Sequence, residues 1–377
     1  MNPEHKRRFR LVLLIIFIFA AIAIVAVDRL GLFSGESEAI AFVPAHDVSF
    51  GGQGDVFVTQ DGFFVLMRDS MRFFDELGRE VFRHAITMNH ASLIGRGGFA
   101  AIAEQNGQSL LVFGQNGHLY TVHKSAPIIS FTVNPQGLSA IITFDGASHA
   151  IYVYSPHGLL LPVDTGHTGP MFFPVAMDIS ADSRYLAISY LDISDAQINS
   201  VVQFISLEPY NGGVFAMDAA NHGQFVGLVR FMENNRLLTI SDRQISLISP
   251  HERVQLLWEI EINNHITAAE FGSDWLALAF GDELLNHIGR PANTITIYNM
   301  SGQEIFSYQS ARATTSLSSM DNTLIAGSNN HFFALSPAGN TLWQHSAPSN
   351  IAHLHFLSNT DTIIAISPTN AAILRHD

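Results

Sequence analysis

Eighteen histidines in a chain of 377 residues invite a metal hypothesis, because neutral imidazole is the commonest protein ligand for transition metals. They are scattered singly, as at His84, His90, His118, His123, His149 and His157. Only Ile351-Ala-His353-Leu-His355 places two on one face of a strand, where two ligands of one ion could stand. An exposed strand face or a pair at a blade edge is the simpler account of these two residues. Asp178 and Asp182 flank a turn, but the alternating oxygen ligands of a calcium loop are missing around them. No metal site is assigned.

Covalent chemistry finds less. The chain has no cysteine, which removes thiolate nucleophiles, thiolate metal sites, disulfides and a lipidated N-terminal cysteine together. There is no His-Glu-x-x-His, no Gly-x-Ser-x-Gly and no phosphate-cradling glycine loop followed by Lys. Gly95-Arg-Gly-Gly98 lies between strand-like runs with no helix behind it and reads as a turn. Three charges interrupt otherwise apolar runs: Asp178, Arg230 and Glu270. A pocket in which they met would favour an enzyme. Without one, no catalytic residue and no cofactor is assigned.

The elements that would position such groups are strands. Short runs rich in Val, Ile, Phe and Tyr recur between Gly, Asn, Asp and Ser-Pro punctuation. One phrase returns, a strand, a glycine turn and a second strand. It reads Arg72-Phe-Phe-Asp-Glu-Leu-Gly78, Leu111-Val-Phe-Gly-Gln-Asn-Gly117, Ile151-Tyr-Val-Tyr-Ser-Pro-His-Gly158, Ile295-Thr-Ile-Tyr-Asn-Met-Ser-Gly302 and Phe332-Phe-Ala-Leu-Ser-Pro-Ala-Gly339. Degenerate copies turn near Asn211-Gly212-Gly213 and near Pro250-His251-Glu252-Arg253. The glycines recur at about 40 residues, with four short strands per copy, the mark of a β-propeller blade. A last copy, Ile351 to His376, lacks its fourth strand, which Ile40 to Phe50 could supply. The sequence therefore predicts an all-β propeller of about eight four-stranded blades, with seven as the alternative.

Phe333-Ala-Leu-Ser-Pro-Ala-Gly339-Asn-Thr-Leu-Trp343 resembles the repeat of quinoprotein-like (PQQ-like) propellers, in which a strand tryptophan follows the turn glycine by four residues. The segment Asp178 to Ser194 into Val201-Val-Gln-Phe204 resembles a family of single-pass, propeller-type bacterial envelope proteins of unknown function, and the likeness extends over most of the chain. It implies a fold and a membrane anchor and brings no catalytic residues. With three tryptophans, of which Trp258 and Trp343 fall on the expected strand, the chain departs from the quinoprotein pattern.

Two links between second and third strands are longer than the rest, Tyr190 to Asn199 and Gly281 to Asn293. Equivalent links project from one face of a propeller, and function in repeat proteins gathers on such a face. Tyr190, Asp192, Asp195, Glu283, His287 and Arg290 form the candidate contact surface.

At the N-terminus the basic cluster Lys6, Arg7, Arg8 and Arg10 precedes an apolar run from Leu11 to Val27. At about 1.5 Å per helical residue this run is near the lower limit for crossing a bilayer core, and flanking residues extend it. The expected organisation is a cytoplasmic tail over 1–10, a transmembrane helix over 11–30, a linker over 31–39 and an extracytoplasmic propeller over 40–377. A cleaved signal peptide has a similar layout, but the apolar core is long and no small-x-small site follows it closely. Past residue 30 the chain has 14 basic residues against 31 acidic, since five of its 19 basic and two of its 33 acidic residues lie before. That balance excludes nucleic acid as a partner and repels anionic lipid. The expected role is a membrane-anchored, non-enzymatic binding or scaffolding module for an envelope protein or cell-wall glycan. The alternative is an extracytoplasmic propeller enzyme, a quinoprotein oxidoreductase or a carbohydrate-acting lyase.

Overall fold

The computed structural model describes residues 42–376 except 163–171, 195–198, 208–213, 251–253, 282–292, 311–312 and 348–350, single positions 223, 233, 263, 273 and 337, and the side chains of 214–222. The tail, span and linker read over residues 1–39 lie outside the described residues. Among the described residues, no helix is long and apolar enough to cross a membrane.

Among the described residues, thirty-two strands form eight four-stranded antiparallel sheets, the blades of a closed propeller. Blades 1 to 7 run through Asp55–Ala85, Ala91–His123, Ile128–Leu161, Phe172–His222, Val226–Glu261, Ile266–Ser310 and Ser316–Ser346. Blade 8 joins the chain ends. Its β30 (His353–Leu357), β31 (Asn359–Ile366) and β32 (Asn370–His376) take β1 (Phe42–Ser49) as their outer strand, in register from Phe42 opposite His376 to Ser49 opposite Asn370. The segment expected to close the ring does so, and the blade count is eight.

The repeat phrase has a physical cause at each turn. Gly78, Gly117, Gly158, Gly302 and Gly339 all have positive φ, where a side chain on Cβ is strained. In four of the turns the first residue also holds the loop with its own side chain, as Asp75 Oδ1 accepts from the N–H groups of Leu77 and Arg79. Asn299 Oδ1 does the same for Ser301 and Gln303, and the Ser155 and Ser336 hydroxyls do so in their turns. The bare glycine also lets the next blade approach. A Cβ on Gly158 would lie 2.8 Å from the ring of Tyr120, and one on Gly302 2.9 Å from Trp258, each on the outer strand of the preceding blade. The Trp258 indole N–H donates to Met300 O, and the Tyr120 hydroxyl bonds Ser139 Oγ across the same kind of seam.

Each of the eight seams holds its own apolar core. Second strands feed two seams at once, because alternate side chains point to opposite faces. In blade 6, Ala277 and Ala279 enter the seam with blade 7, while Leu276, Leu278 and Phe280 enter the seam with blade 5. That is why these strands read as continuous apolar runs, such as the fully buried Trp275–Phe280. Burying each such large side chain contributes about 1.5–3 kcal/mol.

Candidate functional site

The disc has two unlike faces. Turns joining strands one to two and three to four share one side, the turn face; links joining strands two to three and blade to blade share the other, the link face. First strands surround the central channel.

A cleft of about 1140 Å³ opens on the link face at the mouth of the channel, across blades 8, 1 and 2. The lead-in Gly51-Gly52-Gln53-Gly54 forms one wall, with no side chain at three of its four positions. Met67, Arg68, Asp69, Met88, His90 and His353 are among the other lining residues, and no Phe, Tyr or Trp lines it among the described residues. Its wall offers backbone, thioether carbon and both charge signs. Such a wall suits a partner that supplies hydrogen bonds and small apolar groups, and among the described residues its only rings are the imidazoles of His90 and His353. The glycine lead-in carries no repeat, and periodicity gave no signal for it.

At the other end of the channel the first strands bring charges together. Arg96 ends β6 (Ala91–Arg96) in blade 2, just before the Gly97-Gly98 turn that the glycine run was read to form. Its guanidinium passes over blade 3 and donates to Asp178 Oδ2 at 3.0 Å in blade 4 and to Phe231 O at 3.3 Å in blade 5. Asp178 Oδ2 also accepts from the Phe231 N–H at 2.7 Å. Burial pushes the Asp178 carboxyl up to about 6 despite the nearby Arg96 charge and the backbone N–H bonds, and burial lowers the Arg96 pKa in turn. Glu270 is also pushed up to about 6 by burial, with its Oε1 accepting from the Ser319 N–H and hydroxyl. Arg230 lies over the Phe271 ring instead, 5.4 Å from its centre. Asp178, Arg230 and Glu270 stand on the first strands of the consecutive blades 4, 5 and 6, and among the described residues no ion pair joins Arg230 to either carboxylate. Glycines on both sides make Arg96 read in sequence as part of a turn; its signal is a lone charge closing an apolar strand.

The paired histidines lie on β30, their rings 6.0 Å apart. Burial and the neighbouring His353 push His355 down to about 4, and burial lowers His353. No group of three or more metal-ligating side chains occurs among the described residues. Both oxygens of Asp182 are engaged, Oδ1 by the Ser180 hydroxyl and the Arg184 N–H, and Oδ2 by Asn235 Nδ2.

Of the six contact-surface residues, Asp195, Glu283, His287 and Arg290 lie outside the described residues. Tyr190 is 3% exposed and packs with Ile142, Ile151 and Ile188 in the seam of blades 3 and 4, so its ring is not open to a partner. The physical reason is strand length. The extra residues extend β15 (Tyr185–Asp192) and β16 (Asn199–Ser206) to eight residues each, which draws Tyr190 into the sheet. Asp192 ends β15 and turns its carboxylate back to the Ser194 N–H at 2.9 Å; that bond and the Ser194 side chain lower its pKa.

Residues 49–375 match the model of a family of unknown function, DUF5711. The chain belongs to that family. No curated protein sequence matches it. Among solved structures it is similar to BamB from Moraxella catarrhalis, at 12% identity over 89% of this chain and 98% of that one, with a TM-score of 0.53. It is also similar to Sqt1 from Chaetomium thermophilum, at 13% identity over 90% of this chain and all of that one, with a TM-score of 0.58. These likenesses are of fold.

Proposed function

We propose that this DUF5711 member is a membrane-anchored, non-enzymatic propeller that holds a protein partner in the link-face cleft, outside the cytoplasmic membrane. The cleft carries the reading. It is large and open, it joins three blades, and its wall combines glycine backbone and methionine with Arg68, Asp69, His90 and His353, a surface suited to holding a polar and weakly apolar partner. The carboxylates with raised pKa values lie in the channel and are occupied by Arg96, Phe231 and Ser319. Of the two partner classes that the sequence suggests, the absence of Phe, Tyr and Trp from the described lining of the cleft favours protein over glycan. The anchor rests on the apolar run Leu11 to Val27 behind its basic cluster, which also gives the cytoplasmic N-terminus and the extracytoplasmic propeller.

Photo-crosslinking from position 89 in the anchored chain, in its own membrane, tests this. A protein captured in stoichiometric yield that rebinds the purified chain, and that is lost on Arg68→Glu, is the expected result. Turnover of a glycan by the purified chain, or uptake of a quinone, would overturn the reading in favour of an enzyme.

A further inference from the structure

Exposed aliphatic side chains recur within the first three residues of the outer strands. Val81, Leu119, Leu160, Leu256, Ile305 and Leu342 each follow a three-to-four turn and are 40–56% exposed. Val43, second residue of β1, completes the set in blade 8. Seven blades thus share one feature, and all seven residues lie at the rim of the turn face. Singly exposed hydrophobics are ordinary, and the link face exposes Ile129, Phe173, Ile193 and Phe225, but the turn-face set recurs blade after blade at the start of the outer strand and so forms a rim belt with a direction.

The chain's own path gives that direction a meaning. β1 starts at Phe42 on the turn face and climbs to the link face, so the described chain enters the disc on the belt side. If the span ends near residue 30, residues 31–41 reach at most about 40 Å fully extended. The eight residues of β1 separate the two faces by about 26 Å. Turning the cleft toward the bilayer would consume most of that tether, whereas seating the belt there consumes little.

We infer that the turn face, with its aliphatic rim, rests on the lipid surface, so that the cleft opens away from the membrane. This rests on the proposed anchor and adds the surface that meets the bilayer. The turn face also exposes Asp61, Glu76, Asp182, Asp321 and Asp361, so the rim meets zwitterionic headgroups more closely than anionic ones.

A chain without cysteine permits a clean test. The full chain is reconstituted in phosphatidylcholine vesicles containing a headgroup-bound energy acceptor, with one donor label at Ser301→Cys on the turn face or at Ala147→Cys on the link face. Transfer from position 301 should exceed transfer from position 147 at least twofold. Replacing Val81, Ile305 and Leu342 with Ser should lower transfer from position 301, and adding phosphatidylglycerol should lower it too. Equal transfer from both labels, or no response to the rim substitutions, would overturn the orientation in a chain that resists alkaline extraction. Release of the unlabelled chain by alkaline wash would remove the anchor itself and the orientation with it.

Discussion

Asp178, whose side chain is only 5% exposed, is tied to a cation that belongs to a blade two places away. At neutral pH its removal strands the Arg96 guanidinium, which already has a buried Nε without a hydrogen-bond partner. Breaking a buried pair from one side costs about 3–5 kcal/mol, far more than the pair contributes over an apolar substitute. Asp178→Ala should therefore lower the denaturant midpoint sharply, and Arg96→Met/Asp178→Leu should recover most of the loss. A double variant as unstable as the single one would show that the bond is not the cause. The raised and lowered groups also give stability opposite slopes with pH. Asp178 and Glu270 titrate near 6 in the fold, above their ordinary values, so the stability they contribute is present below about pH 4 and lost as pH rises through 6. His355 titrates near 4, below its ordinary 6.5, so its contribution is present above 6.5 and lost as pH falls toward 4. Relative to the parent chain, His355→Gln should move the change in stability from pH 7 to pH 5 in the stabilising direction, and Asp178→Asn should do the same for the change from pH 5 to pH 7. Chemical denaturation at the two pH values distinguishes these slopes.

At the scale of the element, the turn glycine couples two blades. Gly339 has φ of 84°, and a Cβ there would run into the ring of Phe306 on the preceding blade. Gly146 has φ of 94° with nothing within 4 Å of such a Cβ. Left-handed backbone costs an L residue roughly 1–2 kcal/mol, so Gly146→Ala should lose about that much. Gly339→Ala should lose more, and adding Phe306→Ala should cost less than the sum of the two single changes. Strict additivity in thermal unfolding would refute the coupling. This explains what the sequence makes legible. A position that must have positive φ and, at Gly158, Gly302 and Gly339, admit a ring tolerates little but glycine, so five turns repeat and set the period of about 40 from which the remaining blades are counted. The links between blades carry no such shared constraint, and the cleft that Gly51 to Gly54 help to form left no periodic trace. Tyr190 shows the same limit from the other side: extra residues look alike in sequence whether they project as a loop or lengthen two strands.

For the whole molecule, closure is the decisive event. Seven blades are each complete within a continuous stretch of chain, but blade 8 requires β1, whose partner strand lies more than 300 residues away in sequence. Phe42 wedges edge-on against Trp343 of blade 7, with ring centres 4.9 Å apart, while Val48 and Phe50 enter the seam with blade 1. One strand thus bridges the two seams beside it and couples the last blade to the first. Its loss would expose the β32 edge and open both seams, a route to aggregation as well as to instability. Holding it in place should have the reverse effect, because a crosslink across the closing pair restricts the unfolded chain over a very long loop. Val43 and Arg375 face each other in the register, and no native cysteine competes. Val43→Cys/Arg375→Cys, once oxidised, should gain about 2–4 kcal/mol over its reduced form, read as a rise in thermal midpoint. The gain should vanish on adding a reductant. If the oxidised and reduced forms melted together, unfolding would begin at a seam elsewhere in the ring, and the joint between the chain ends would not be the place where this propeller first opens.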